Sequence, residues 1–157
     1  MTAPADSSAL SYLARRGVAA QWRGFLRALV ETLDANLDPG SRDSLMRAVG
    51  GRFAALMPLP PCSSMQELES RMNDALAAVE WGWAELSLNE QAAALEVTHS
   101  AAPIVATAED GQAAWIAAVL EGLYAAWFAG QPGADQSLGV RLMETCPART
   151  TLRYGRG

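Results

Sequence analysis

The stretch that decides the fold is residues 115–134, which read WIAAVLEGLYAAWFAGQPGA. Large apolar side chains recur in it at helical spacing, and small residues occupy its other side. Glu121 is the only charged residue between positions 113 and 130. An exposed helix would keep a charged face, so we predict a helix buried on more than one side, either in the core or against another subunit. The positions assigned to this core or oligomer interface are Trp115, Val119, Gly122, Leu123, Ala126 and Trp127.

Three helices are predicted before this run. An apolar stripe between positions 22 and 37 indicates the first helix, and Asp38-Pro39-Gly40 ends it. Ser41 is then expected to cap the second helix. Gly50 and Gly51 lie in the middle of that helix. They either weaken it or let another backbone approach closely, and the sequence leaves both alternatives open.

A proline-rich segment at 58–61 ends the second helix, and Ser64 with Glu67 forms a capping box for a third. Asp110 is the predicted cap of the long apolar helix. Alternating patterns predict short strands at 83–88, 93–99, 138–144 and 150–154. We therefore expect an α+β fold with three N-terminal helices, a β-hairpin, a long apolar helix and a C-terminal strand pair. A flexible N-terminal arm at 1–18 is predicted to precede a single domain at 19–157.

The composition excludes several classes of function. The chain has 157 residues, a formal net charge of −5 and 18% charged residues. An acidic chain is poorly suited to nucleic acid, and the arginines between positions 15 and 27 are interpreted as a solvated helix start. The apolar run at 113–130 is short for a membrane span and carries Glu121 at its middle. We find no signal-peptide pattern and expect a cytoplasmic protein.

Few residues suggest chemistry. His99 is the only histidine, and no nucleophile motif or phosphate loop accompanies it. Cys62 and Cys146 are expected to be buried free thiols, because one histidine and two distant cysteines do not make a zinc site. Trp81 and Trp83 would share a face of one strand and stack on sugar rings, although we favour core packing. We predict no catalytic residues, no metal and no cofactor.

Four segments in order resemble the D subunit of bacterial cellulose synthase complexes. The most distinctive is residues 119–124, VLEGLY, followed by Trp127 and by QPGA at 131–134. The other matching pieces are FLRAL at 25–29, LMPLPPC at 56–62 and EWGWAEL at 80–86. None of these is a catalytic signature.

The resemblance implies an accessory protein that performs no chemistry. Members of the family form an octameric cylinder, a ring of dimers, whose passages guide nascent β-1,4-glucan chains and align synthase complexes so that cellulose crystallises. The implied partners are the membrane-bound synthase catalytic complex and, in some lineages, a proline-rich protein, which would place the chain in the cytoplasm beside the inner membrane. The family's passage-lining segment maps by position to Arg16, Gly17, Val18, Ala19, Ala20 and Gln21.

The sequence also leaves three other interpretations of the function open. A small-ligand sensor would bind an apolar cofactor, such as haem, between the long helix and the sheet with His99 nearby. A carbohydrate-active enzyme would need two carboxylates at a set separation, and no such pair is placed by the sequence. A dimeric scaffold without glucan contact shares every compositional feature with the cellulose-complex protein.

Overall fold

The computed structural model describes residues 18–105, 114–146 and 148–157, together with residue 9. Within these residues, three helices, two strands, a fourth helix and two further strands follow one another in the predicted order. The helices are α1 (Ala20–Asn36), α2 (Pro39–Leu56), α3 (Met65–Ala78) and α4 (Ala114–Ala129). The strands are β1 (Trp83–Asn89), β2 (Ala94–Ser100), β3 (Gly139–Cys146) and β4 (Arg149–Gly155). The predicted α+β class is confirmed.

The four strands form one antiparallel sheet in the order β1-β2-β4-β3. The predicted hairpin β1–β2 and strand pair β3–β4 are both present, and β4 joins them by pairing with β2. Val97 on β2 lies opposite Leu86 on β1 and Leu152 on β4, so one apolar row crosses the sheet. All three residues are buried, and they belong to the same core cluster as the buried side chains of α4. The side chains that alternate with this row lie on the other face of the sheet and are mostly polar or charged, as at Glu85, Thr98 and Arg153.

The beginnings of the helices follow local side-chain chemistry, with one correction. Asp38, rather than Ser41, caps α2: its Oδ2 accepts a hydrogen bond from Ser41 N at 3.0 Å, and Pro39 occupies the first turn. A proline has no N–H to satisfy, so it fits the first turn, and the helix begins three residues earlier than a cap at Ser41 predicts. Ser64 caps α3 as expected, with its Oγ accepting from Glu67 N at 3.1 Å. The predicted cap Asp110 lies outside the described residues.

The apolar stripe of α1 forms, but the domain does not bury it. Only Val30 is buried on this helix, whereas Trp22, Phe25 and Leu29 are 54%, 59% and 44% exposed. The stripe therefore contacts the rest of the domain only at its edge, through Val30 and Leu33, and its large side chains are exposed to solvent.

The long apolar helix α4 lies between α2 and the sheet. At its crossing with α2, the backbones touch at two glycines. A Cβ added at Gly50 would lie 2.7 Å from Leu123 N, and one added at Gly122 would lie 2.7 Å from the carbonyl carbon of Arg47. Real Cβ atoms do not approach backbone that closely, so both positions require glycine. Of the two alternatives left open for Gly50, the structure shows the close approach.

Helix side chains satisfy backbone groups at both edges of the sheet. On β1, Asn73 accepts from Ala84 N and donates to Ala84 O, both at 2.8 Å, and Glu69 accepts from Leu86 N at 2.6 Å. On β3, Glu121 accepts from Leu142 N at 2.8 Å. Each edge strand is thus tied to a helix of the same domain. None of the helices in the described residues is both long and apolar enough to cross a membrane.

Candidate functional site

The segment predicted to line a glucan passage lies at the beginning of α1 and is only partly accessible. Val18 is buried, and its carbonyl accepts a hydrogen bond from Arg23 Nε at 2.9 Å. Ala19 precedes the helix, Ala20 and Gln21 form its first turn, and all three are exposed. Arg16 and Gly17 lie outside the described residues. The accessible part of the predicted segment is therefore 19–21.

The same helix carries a charge-free exposed face. At 100° per residue its exposed uncharged positions fall on one side of the helix, away from Arg23 and Arg27. These positions are Gln21, Trp22, Gly24, Phe25, Ala28, Leu29, Thr32, Ala35 and Asn36. Leu45, Val49 and Leu56 on α2 are also exposed. Six of the ten exposed large hydrophobic side chains in the described residues thus lie on α1 and α2, and we call this set the α1–α2 apolar surface.

The predicted core or interface positions of α4 lie inside the domain. Val119, Leu123 and Trp127 are 2%, 0% and 3% exposed, and Trp127 Nε1 donates to Met57 O at 2.9 Å. Gly122 is covered by α2, while Trp115 and Ala126 are half-buried and pack against the core cluster. These contacts account for the burial of α4 within one copy of the chain.

Glu121 joins three elements from this helix. Its side chain is 11% exposed, and its Oε2 accepts a hydrogen bond from Arg47 Nε of α2 at 2.5 Å. Its Oε1 accepts from the backbone of Leu142 on β3. The hydrogen bond to Glu121 raises the pKa of the Arg47 guanidinium. The single charge of the apolar run therefore has a structural role that the sequence did not reveal, because its partners are 74 and 21 residues away.

The distinctive segments meet around α4. Gln131 Oε1 accepts from Cys62 N at 2.9 Å, and its Nε2 donates to Pro60 O at 3.2 Å, so the segment 131–134 is tied to the proline-rich stop. Gly82, with φ of +77°, lets residues 80–86 turn into β1 against the backbone of Ser100. Three of the four quoted motifs thus mark internal packing junctions, whereas FLRAL at 25–29 lies on the exposed stripe of α1.

His99 is a buried structural residue. It is 1% exposed, its Nε2 lies 2.8 Å from Trp81 O and its Nδ1 lies 2.5 Å from the Tyr124 hydroxyl. Because a carbonyl only accepts, Nε2 carries the proton and Nδ1 accepts from Tyr124. Burial lowers the pKa of His99 to about 4 and raises that of Tyr124. With both ring nitrogens occupied, this arrangement argues against His99 as a haem ligand or general base.

The buried neutral His99 makes stability fall on acidification. The unfolded chain takes up this proton near pH 6.5, whereas the folded chain takes it up near pH 4, so acid favours the unfolded state between these values. We expect the free energy of unfolding to drop by about 2 kcal/mol from pH 7 to pH 5, at 1.4 kcal/mol per pH unit. Urea unfolding at pH 7 and at pH 5 measures this drop in the free energy of unfolding. Because the chain has one histidine, His99→Gln should be less stable at pH 7 but lose much less between the two values. An equal loss in both proteins would contradict this assignment.

Two expectations about other residues are wrong. Cys62 is half-buried and Cys146 is exposed, because they lie in the loop before α3 and at the end of edge strand β3; both are free thiols, as predicted. Trp81 and Trp83 do not share a strand face, because β1 begins at Trp83 and Trp81 precedes the turn at Gly82. Trp81 packs on Phe53 with ring centroids 4.7 Å apart, as the favoured core-packing interpretation expected. Trp83, however, is 38% exposed.

The described residues contain no group of three or more histidine, cysteine or acidic side chains placed to hold a metal ion. His99 and Glu121 serve internal packing and hydrogen bonding, and the largest group of exposed apolar side chains in these residues is the α1–α2 apolar surface. This layout is typical of a protein that works in contact with other proteins.

Comparison with known proteins gives the family. The family model for the cellulose synthase D subunit matches residues 8–155, and the chain belongs to this family. It is 32% identical over 138 residues to cellulose synthase operon protein D of Komagataeibacter sucrofermentans, covering 84% of this chain and 88% of that protein. Two such proteins of Komagataeibacter xylinus are 32% and 30% identical over 138 residues, with the same coverage. The resemblance in the sequence is confirmed, and the chain is a homologue of a cellulose-biosynthesis protein.

Proposed function

We propose that this chain is a non-catalytic accessory subunit of a bacterial cellulose synthase complex. Copies of it assemble, through the α1–α2 apolar surface, into an octameric ring of dimers in the cytoplasm beside the inner-membrane synthase. The ring guides nascent β-1,4-glucan chains and aligns synthase complexes so that the chains crystallise. The observation that carries the proposal is the exposed, charge-free stripe of Trp22, Phe25 and Leu29 in a member of this family.

The stripe supports assembly on physical grounds. Each large apolar side chain buried at an interface contributes on the order of 1.5–3 kcal/mol, so three exposed ones are a substantial unused driving force. A charge-free face creates no repulsion when two copies of an acidic chain meet. Closed symmetric oligomers are the usual outcome for such self-complementary surfaces.

The beginning of α1 supports the glucan role. The exposed Ala19, Ala20 and Gln21 adjoin the apolar stripe, so assembly through the stripe brings this segment of several copies together. A segment of two small alanines and one uncharged glutamine offers hydrogen bonds from its backbone and from the Gln21 amide without a deep pocket. Repeated weak contacts of this kind suit a chain that slides, whereas one tight site would stop it.

The mass of the purified protein in solution is the first test of assembly. Light scattering on a size-exclusion column is expected to give about eight times 16.6 kDa. Phe25→Glu should lower this mass while the circular dichroism of the protein stays unchanged, because the new charge lies on the stripe and outside the core. Leu88→Glu is the matched control, since Leu88 is 64% exposed on β1, away from the stripe. An unchanged mass for Phe25→Glu would remove the stripe from the interface.

Glucan contact is tested separately by binding of cellohexaose to the assembled protein. Replacing Arg16 and Gln21 with alanine should weaken this binding and disorder the cellulose made in cells. If binding and cellulose order are unchanged, the passage mapping is wrong, and the dimeric or oligomeric scaffold without glucan contact becomes the better interpretation.

A further inference from the structure

The face of the sheet opposite α4 contains a depression near the open end of the β3–β4 pair. Gly139 and Gly155 lie directly opposite each other there, so neither strand places a side chain at this point. The resulting cavity has a volume of about 380 Å³ and is bordered by Arg141, Arg153 and Arg156. This volume accommodates a few side chains of another molecule.

The charges around this depression are incompletely balanced. Arg141 lies opposite Arg153 in the register, and like charges at opposed positions of one sheet face repel. Arg153 Nη2 is compensated by Glu96 Oε1 at 3.0 Å, but within the described residues no carboxylate forms an ion pair with Arg141 or Arg156. Positions 137–157 carry four arginines and one glutamate in a chain whose net charge is −5.

Three neighbouring groups affect the surroundings of these arginines. Gly157 borders the depression beside Arg141, and a Cβ built on it would lie 2.7 Å from Arg141 Nη2. Asp135 interacts electrostatically with Arg156. Hydrogen bonds from Ser137, and to a smaller extent the charge of Arg156, lower the pKa of the Asp135 carboxyl below its usual value. Arg153 Nε is a buried donor that has no hydrogen-bond partner in the described part of the chain. The depression therefore retains positive charge and an unused donor beside it.

The surroundings favour a protein segment over a bare ion. Guanidinium groups bind carboxylates in a planar, two-bond geometry. Met143, which is 45% exposed, also borders the depression. Methionine and arginine are both enriched in protein interfaces, whereas an inorganic ion gains nothing from an apolar side chain.

We propose that this depression docks an acidic segment of a protein partner, with two or more closely spaced carboxylates that pair with Arg141 and Arg156. The apolar part of that segment packs on Met143. This inference does not depend on the glucan role. The depression is formed by residues 137–157, and none of the predicted passage residues at 16–21 takes part in it.

Fluorescence anisotropy of a fluorescein-labelled hexaglutamate peptide with the full-length protein tests the proposal. We expect saturable binding that weakens at least tenfold in the double variant Arg141→Gln/Arg156→Gln. The matched control is Arg52→Gln/Arg71→Gln, which changes the net charge equally at exposed positions of α2 and α3. Gly139→Leu is a second test, because a Cβ there meets no atom within 4 Å and a leucine would occupy the depression without altering charge. It should also weaken binding tenfold.

Several outcomes would overturn the proposal. Wild-type protein that does not bind the peptide, or equal weakening in the control double variant, would mean that no specific site exists. Displacement of the peptide by millimolar inorganic phosphate at matched ionic strength would show a small-anion site. A lower assembled mass for Arg141→Gln/Arg156→Gln would make a second copy of the chain the occupant. The octameric assembly and glucan binding can each fail without affecting these results.

Discussion

Replacing Gly50 or Gly122 with alanine is expected to lower the free energy of unfolding by about 3 kcal/mol, the upper part of the range for overpacked cores. At each position the atoms that the new methyl would meet belong to the backbone of the opposing helix, which no change of rotamer can move aside. The two helices would have to separate along their whole crossing, which also pulls apart the core beneath α4. Urea unfolding at one fixed protein concentration measures the effect.

Gly51 provides the matched control for this prediction. It is the next residue on α2, and a Cβ there meets no atom within 4 Å. Gly51→Ala should therefore raise stability by about 0.5–1 kcal/mol through helix propensity alone. If Gly50→Ala behaves like Gly51→Ala, the two backbones do not touch at this crossing and the close approach of α2 and α4 is wrong.

Glu121→Ala is the second substitution with a large expected effect, again about 3 kcal/mol. It removes the hydrogen bonds to Arg47 Nε and Leu142 N, and hydrogen bonds to a charged group contribute about 1.5–3 kcal/mol each. Arg47 is half exposed and recovers water when its partner is lost, so the cost arises mainly at the backbone of Leu142. Loss of this attachment between α4 and the edge of the sheet should also speed amide exchange in β3.

Glu121→Gln separates the shape of this side chain from its charge. One amide oxygen can accept from one of the two donors, so about half of the destabilisation should remain. Glu85→Ala, at an exposed carboxylate of β1, is expected to stay within about 0.5 kcal/mol of the wild type. Equal stability of the wild type and Glu121→Ala would show that Glu121 does not connect α2, α4 and β3.

The order of the elements could be predicted because each follows from a local pattern. The apolar run of α4, the cap at Ser64 and the alternation in the strands all act over a few residues, and the structure has each of them. The capping box is only half formed, because the Glu67 carboxylate accepts from Ser63 N rather than from Ser64 N. The predicted cap of α2, Ser41, is wrong. Asp38 and Ser41 both have side chains that can cap a helix, and Pro39, which suits the first helical position, favours the cap at Asp38.

The contacts that join distant segments could not be predicted. Whether Gly50 weakens α2 or admits a second helix depends on Gly122, 72 positions later. The partners of Glu121 and His99 lie between 18 and 74 positions away. The exposure of Trp22 and Phe25 could not be predicted either, since an apolar stripe has the same sequence whether it faces the core or a partner. The apolar run of α4 left burial against another subunit open, but the structure buries this run inside the domain and exposes the stripe of α1 instead.

The side chains that occupy the two sheet edges affect how copies of this protein can associate. Asn73 and Glu69 on β1, and Glu121 on β3, use backbone groups that would otherwise be open to a strand of another molecule. Joining through open edges has no natural end point, and it leads to fibres. Helix faces that pair in a closed point-group symmetry end the assembly after a fixed number of copies. With both sheet edges tied to its own helices, the domain offers few open backbone groups to a strand of another molecule.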